Sequence, residues 1–519
     1  LCNREKAASA ADKKTAEIFE AHIEILEDED TVIAPVCEQI ASGTCTAAQS
    51  VNEQFRALEE LMRGAPDPYM QQRAGDFDDL REQLLRVLLD CPKPDISSLQ
   101  ADVILAAQQL TPSDTIRMDT AHIAGILCAE GSRTSHSAIL ARSMGIPAIV
   151  GCAKLMEHVK DGEPLLVDGA SGEAVLRPEV GTIAAYADKR DALSARKQAL
   201  EAYRTCEACT TDGAVVRVEA NVASAAEVSH AIACGADGIG LFRSEFLYMD
   251  RAELPSEEEQ FAAYRAALET AQGRPVTIRT LDIGGDKSAA ALRIPSEENP
   301  FLGYRAIRIC LNDPHLFKTQ LRALYRASAY GTLRIMFPMI SSIEELRAAK
   351  KLAAQVREEL TREGLAFDPQ VPLGMMIEVP AAAVLADVFA QETDFFSIGT
   401  NALIQYTVAV DRGNKQIEKL YDYHHPAVLR LIAHTIASAA AAGIPCCMCG
   451  EAAGEDDFTQ VLLGCGLMQF SVSAGAVAGL KKRICDSSRK TAKALCAQLA
   501  AMKTAEEITG KLNQRGADE

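Results

Sequence analysis

From residue 213 to the C-terminus, short apolar runs alternate with stretches long enough for a helix, and there are eight such runs. They cover 215–222, 238–246, 276–283, 333–339, 373–379, 395–400, 445–449 and 469–473. Continuous apolar segments of this length suit strands buried on both faces. A parallel sheet makes such strands, because its crossover helices cover both sides. Eight strand–helix units in succession is the count of a (β/α)8 TIM barrel, so residues 209–519 are read as one.

The first two-fifths of the chain follow other periods. Residues 1–98 read as helical. Apolar positions from Ile18 to Leu26 recur at helical spacing, with His22 among them, and the acidic run 27–30 breaks the pattern. Further helices are expected over Ala47–Leu61 and Phe77–Leu89, the second stopping before the prolines at 92 and 94. Residues 99–175 shift to short strands at 102–107, 123–128, 146–150 and 164–168, with a helix over Ser137–Met144, and read as a small α/β domain. Residues 176–208 read as a linking helix. The fold class expected is therefore multidomain: α, then α/β, then the barrel.

Charge and cysteine usage narrow the function classes. The formal net charge is −19, which disfavours nucleic acid or an anionic membrane as partner. Residues 1–100 hold 20 Asp+Glu against 10 Lys+Arg, which suits either a basic protein partner or a solvated helical face. Sixteen cysteines without paired spacing argue for reduced thiols and a cytoplasmic setting. Arg4, Glu5 and Lys6 precede any apolar run, against a signal peptide, and no stretch approaches the ~20 apolar residues of a membrane span.

In a (β/α)8 barrel the chemistry sits at the C-terminal ends of the strands. Here those ends carry Arg243 and Glu245, Arg279 and Asp282, Glu378, Asn401 with Arg412 in the following loop, and Cys449 with Glu451. Guanidinium forks at several rims suit a ligand with phosphate and carboxylate oxygens. A single such residue is most simply a rim salt bridge; five strand ends of one barrel favour a site. Glu378 among arginines points to a bound Mg²⁺. A second site is Gly131-Ser-Arg133-Thr134-Ser135-His136, which runs into the expected helix at Ser137. Amide groups and the dipole of a helix N-terminus stabilise phosphate on an adjacent imidazole and keep that ring neutral and nucleophilic.

These motifs resemble enzyme I of the sugar phosphotransferase system. The segment 131–143 with Ile-Pro-Ala-Ile-Val-Gly resembles its phosphohistidine segment. Asn299–Arg305, Phe396–Asn401 and Met448–Glu451 are similar to its phosphoenolpyruvate domain, and 19–29 resembles the helical insert that docks the phosphocarrier HPr. The resemblance implies that His136 is phosphorylated, that Arg243, Arg279, Arg305, Asn401 and Arg412 bind phosphoenolpyruvate, that Glu378 ligates Mg²⁺, and that Cys449 protonates the enolate to pyruvate. It also implies a homodimer through the barrel and an HPr-like partner.

Departures from the family pattern are Ala402, where the family has a metal-binding Asp; Ser132, where it usually has Gly; and about fifty N-terminal family residues with no counterpart here. The missing segment implies an exposed edge in the histidine domain's sheet. An alternative reading follows, a catalytically impaired homologue acting as a binding or regulatory protein. A pyruvate–phosphate dikinase is disfavoured because residues 1–98 are too short for an ATP-binding domain. A metal cluster of Cys446, Cys447 and Cys449 with His424 and His425 matches no zinc spacing.

Overall fold

The computed structural model describes residues 13–64, 68–91, 101–110, 122–131 and 145–516, except 250, 252, 286–288, 293, 296, 413 and 415. Between 91 and 145 it also describes positions 96, 99, 114, 118, 138 and 141. The chain forms two compact units, 1–191 and 192–519.

The second unit contains a closed barrel of eight parallel strands: β6 (Arg217–Val222), β7 (Ile239–Arg243), β8 (Val276–Arg279), β9 (Leu333–Phe337), β10 (Leu373–Ile377), β11 (Phe396–Ile398), β12 (Cys446–Met448) and β13 (Gln469–Ser473). All eight expected runs are strands. Closure comes from β13 pairing with β6 in register, Gln469 opposite Arg217 through Ser473 opposite Asn221. Strands such as Leu373–Ile377 are buried along their whole length, as a sheet covered on both faces requires. Two of the intervening helices start at a serine that caps them. Ser256 with Glu259 and Ser342 with Glu345 form reciprocal capping boxes at Glu257–Thr270 and Ile343–Glu363. The shared core lies between strands and helices and includes Phe242, Tyr264, Phe317, Phe337, Phe396 and Phe470.

In the first unit, helices Lys13–Leu26, Ala34–Ala41, Ala47–Arg63 and Pro68–Leu88 surround Val32, Val51, Phe55, Phe77 and Leu80. The break at 27–30 is real: the Asp28 carboxylate accepts from the amides of Asp30 and Thr31. His22 is fully buried. Two details differ from expectation. The helix Ala34–Ala41 carries Pro35 in its first turn, and the last helix begins at Pro68 rather than Phe77. Proline is tolerated at both starts because those amides have no intrahelical acceptor.

A three-stranded parallel sheet joins β1 (Val103–Ala107), β2 (Ile123–Cys128) and β3 (Ala148–Ile149). Next to it in sequence, β4 (Leu165–Asp168) turns back on β5 (Glu173–Leu176) as an antiparallel hairpin. The turn is held by the Asp168 side chain, which accepts from Ala170 and Ser171 amides, and by Gly172 at φ +73°. β5 is short and mostly exposed, so it carried no apolar signal and was not among the expected strands. A long helix, Val180–Glu201, follows. His136 and the expected helix Ser137–Met144 fall largely outside the described residues. No helix among the described residues is long and apolar enough to cross a membrane.

Candidate active site

At the C-terminal mouth of the barrel lies a cavity of about 250 Å³. Arg243, Arg279, Arg305, Glu378, Asn401, Arg412 and Cys449 all line it, so every barrel residue singled out from sequence is in one place. β7 delivers Arg243, β8 delivers Arg279, and β10, β11 and β12 deliver Glu378, Asn401 and Cys449 just beyond their last paired residues.

The guanidinium groups are held by carboxylates. Arg279 Nη2 lies 2.7 Å from Glu245 Oε1 and 2.8 Å from Asp282 Oδ2. Asp282 Oδ1 also receives Arg305 Nη2 at 2.8 Å. All four groups are buried. Burial pulls the pKa of Arg279 and Arg305 down, but Asp282 and the neighbouring acidic groups outweigh it, so both stay charged. Among the described residues the Nε of each, a buried donor, has no hydrogen-bond partner. Arg305 rests 5.9 Å from the ring centre of Phe301 and donates to the Tyr406 hydroxyl at 3.4 Å. Behind the site, Ser244 donates to the Arg279 carbonyl at 2.6 Å, and Gln320 donates to Ser244 at 3.1 Å and accepts from the Leu281 amide at 2.9 Å. That bracing fixes the loops after β7 and β8.

Glu378 is 3% exposed. One oxygen accepts the Met339 amide at 2.7 Å, and Met339 holds φ at +56° to present it. Burial and then Asp282 raise the Glu378 pKa, while Arg279 and Arg305 oppose. A carboxylate in this state gains from a further cation. Beside it in the lining stands Ala402, whose methyl cannot ligate. Among the described residues no three His, Cys, Asp or Glu side chains are grouped to hold a metal. Glu378 therefore would offer a divalent cation a single protein ligand, which suits a metal that keeps most of its waters.

Cys449 is 5% exposed. Ser397 Oγ donates to its sulfur at 3.2 Å, and its carbonyl accepts from Asn221 at 2.9 Å. Burial raises the thiol pKa; Ser397 and Arg279 pull the other way without cancelling it. The thiol therefore keeps its proton at neutral pH. Gly450 follows because any Cβ there would run into Thr400. Asn401 accepts the Glu451 amide at 3.2 Å, tying the ends of β11 and β12 together.

Some contributors were not singled out from sequence. Tyr406 and Gln405 share a helix face with Asn401 and Ala402, and the i, i+4 spacing after Asn401 was the available signal. Ser397 meets Cys449 because β11 and β12 pair, and Phe301 reaches the lining from the segment between β8 and β9. His424, considered as a metal ligand, lies 3.1 Å from Asp422 and 2.9 Å from Asp457. Burial lowers its pKa, but the two aspartates outweigh that and push it up to about 9. His425 caps the helix at Pro426 by accepting the Ala427 amide.

Three family models match the chain. The PEP-utilising enzyme, PEP-binding domain matches residues 197–489, the PEP-utilising mobile domain 99–172, and the PEP-utilising N-terminal domain 2–73. The phosphoenolpyruvate-protein phosphotransferase of Staphylococcus epidermidis is 41% identical over 99% of this chain and 89% of its own. That of Geobacillus stearothermophilus is 43% identical over 95% and 85%. A solution structure of Enzyme I is 34% identical over 37% of this chain and 77% of its own, with a TM-score of 0.32.

Proposed function

The chain belongs to the phosphoenolpyruvate-protein phosphotransferase family of PEP-utilising enzymes, and from that premise we propose that it moves the phosphoryl group of phosphoenolpyruvate onto His136 and then to a histidine of an HPr-like phosphocarrier, releasing pyruvate. The observation that carries this reading is one cavity lined by four arginines, a buried carboxylate and a buried thiol.

Each residue has a task in that reaction. Arg243, Arg279, Arg305 and Arg412, with Asn401, bind the phosphate and carboxylate oxygens and offset the charge on the transferring group. The bond from phosphorus to the enolate oxygen breaks as a bond to the His136 imidazole forms. The enolate carbon takes the Cys449 proton and becomes the methyl of pyruvate. A Mg²⁺ ion, when bound, would neutralise phosphoryl charge, with Glu378 as its protein ligand. The same reading makes the chain a cytoplasmic homodimer, the first member of a sugar phosphotransferase relay. Val384, Leu385 and Val388, exposed together on the barrel surface, support the dimer.

Incubation with ³²P-phosphoenolpyruvate and Mg²⁺ tests it. Label is expected on the wild-type chain, absent from His136→Ala, and transferable to HPr. Label on His136→Ala removes His136 as the acceptor, and none on wild type under conditions that label the S. epidermidis relative removes the assignment and leaves a binding protein.

Ala402→Asp extends the test to the metal. A carboxylate here lies in the same lining as Glu378. The Mg²⁺ concentration giving half-maximal labelling is expected to fall about tenfold or more, since even outer-shell partners change metal affinity by about 10–100-fold. An unchanged midpoint would mean that position 402 does not face the metal.

A further inference from the structure

Away from the cavity, two helices of the barrel unit, Thr459–Cys465 and Arg489–Ala500, pack at unusually close range. A Cβ on Gly464 would strike the Ala492 carbonyl and lie 2.9 Å from Cys496 Cβ, so only glycine permits this approach. The approach sets Cys465 Sγ 3.0 Å from Cys496 Sγ. Both thiols are free and both are partly exposed, whereas Cys449, Cys447, Cys310 and Cys128 are buried.

We propose that Cys465 and Cys496 form a dithiol modification site that a hydroperoxide oxidises reversibly to an intramolecular disulfide. Each S–H in such a pair has the other sulfur as its nearest partner. Either thiol can donate across the 3.0 Å contact and stabilise a thiolate on its neighbour, so either sulfur can attack first, and the steps are the same with Cys496 as the nucleophile. Its thiolate attacks one peroxide oxygen; the O–O bond breaks, the sulfur becomes a sulfenic acid, and the departing hydroxide or alkoxide takes up the thiol's proton. Cys465 sulfur then attacks the sulfenic sulfur; the S–O bond breaks, and hydroxide leaves as water with the Cys465 proton. Two electrons pass from the two thiols to the peroxide, and a dithiol reductant returns them.

The bridge would close a loop containing β13 and the helix Val477–Cys485, joining residues 31 apart in sequence. It would constrain the unfolded barrel more than the folded one. Neither cysteine touches the mouth cavity, so the inference stands apart from the phosphotransfer reading.

Hydrogen peroxide is added to the full-length native chain, followed by N-ethylmaleimide and peptide mapping. The expected product is one linked peptide pair joining 465 to 496, with Cys449 still alkylated after unfolding. The barrel's melting temperature should rise by about 5 °C, and dithiothreitol should reverse both changes. Cys496→Ser should lose the bridge and the thermal shift while melting like the reduced wild type. Cys465→Ser should leave Cys496 trapped as a sulfenic acid that dimedone labels. If Cys465 and Cys496 both remain alkylatable while other thiols oxidise, or if Cys496→Ser shows the same shift, the proposal is overturned.

Discussion

Arg279→Ala is expected to cost the barrel about 3–5 kcal/mol of stability and to abolish labelling from phosphoenolpyruvate. The stability loss follows from what stays behind. Arg279 is 6% exposed and its guanidinium lies between Glu245 and Asp282, themselves buried. Removing one partner of a buried ion pair leaves an uncompensated charge, which is costlier than never having built the pair. Arg305 still reaches Asp282, but Glu245 loses the guanidinium it pairs with. In the variant the carboxylates gain stability by taking up protons, so their folded pKa rises above the unfolded value. The variant's deficit should then narrow as pH falls from 7 towards 5, where those protons bind. Urea midpoints at the two pH values measure this. Equal midpoints for variant and wild type at pH 7 would mean the network is not what holds these loops. Arg279→Lys keeps a charge but not the fork, so it should recover part of the stability and little of the labelling.

Physical scale decided what could be read from sequence. The eight strands were legible because a parallel strand covered on both faces must be apolar throughout, and β8 and β10 are buried at every residue. The site was legible for a related reason. Where such a strand ends in Arg, Glu or Cys, the fold places that side chain at the mouth, and Arg279, Glu378 and Cys449 meet there. Pairing was not legible. Nothing in the order of residues says that Arg279 is gripped by Glu245, or that Ser397 faces Cys449, since those contacts arise between neighbouring strands. Nor does spacing reveal that Met339 adopts a left-handed backbone to serve Glu378. β5 escaped notice because four mostly exposed residues show no alternation to detect.

Replacing Cys449 with alanine should lower pyruvate formation by about 10²–10⁴-fold, the usual contribution of a positioned general acid. Binding of phosphoenolpyruvate should change little, because the arginines and Asn401 that we propose bind its oxygens remain in the lining. The thiol suits the task because burial holds its pKa above the ordinary cysteine value. Turnover should accordingly be flat through neutral pH and fall on the alkaline side, where the proton is lost. Ser397 donates to the sulfur at 3.2 Å and so favours the thiolate. Ser397→Ala should move the alkaline limb to higher pH, a displacement that a merely structural role would not produce. Cys449→Ser should remain as slow as the alanine variant, since a buried hydroxyl is a far weaker acid than a thiol. Turnover in D₂O adds a stereochemical readout when the substrate carbon is labelled. Delivery from one fixed sulfur puts the new hydrogen on a single face of the enolate, and delivery by solvent in Cys449→Ala has no such constraint. Wild-type product with hydrogen on both faces, or an alanine variant within tenfold of wild type, would take the proton away from Cys449 and require another donor in the lining, of which Tyr406, with its hydroxyl bonded to the Phe301 carbonyl, is the first to replace.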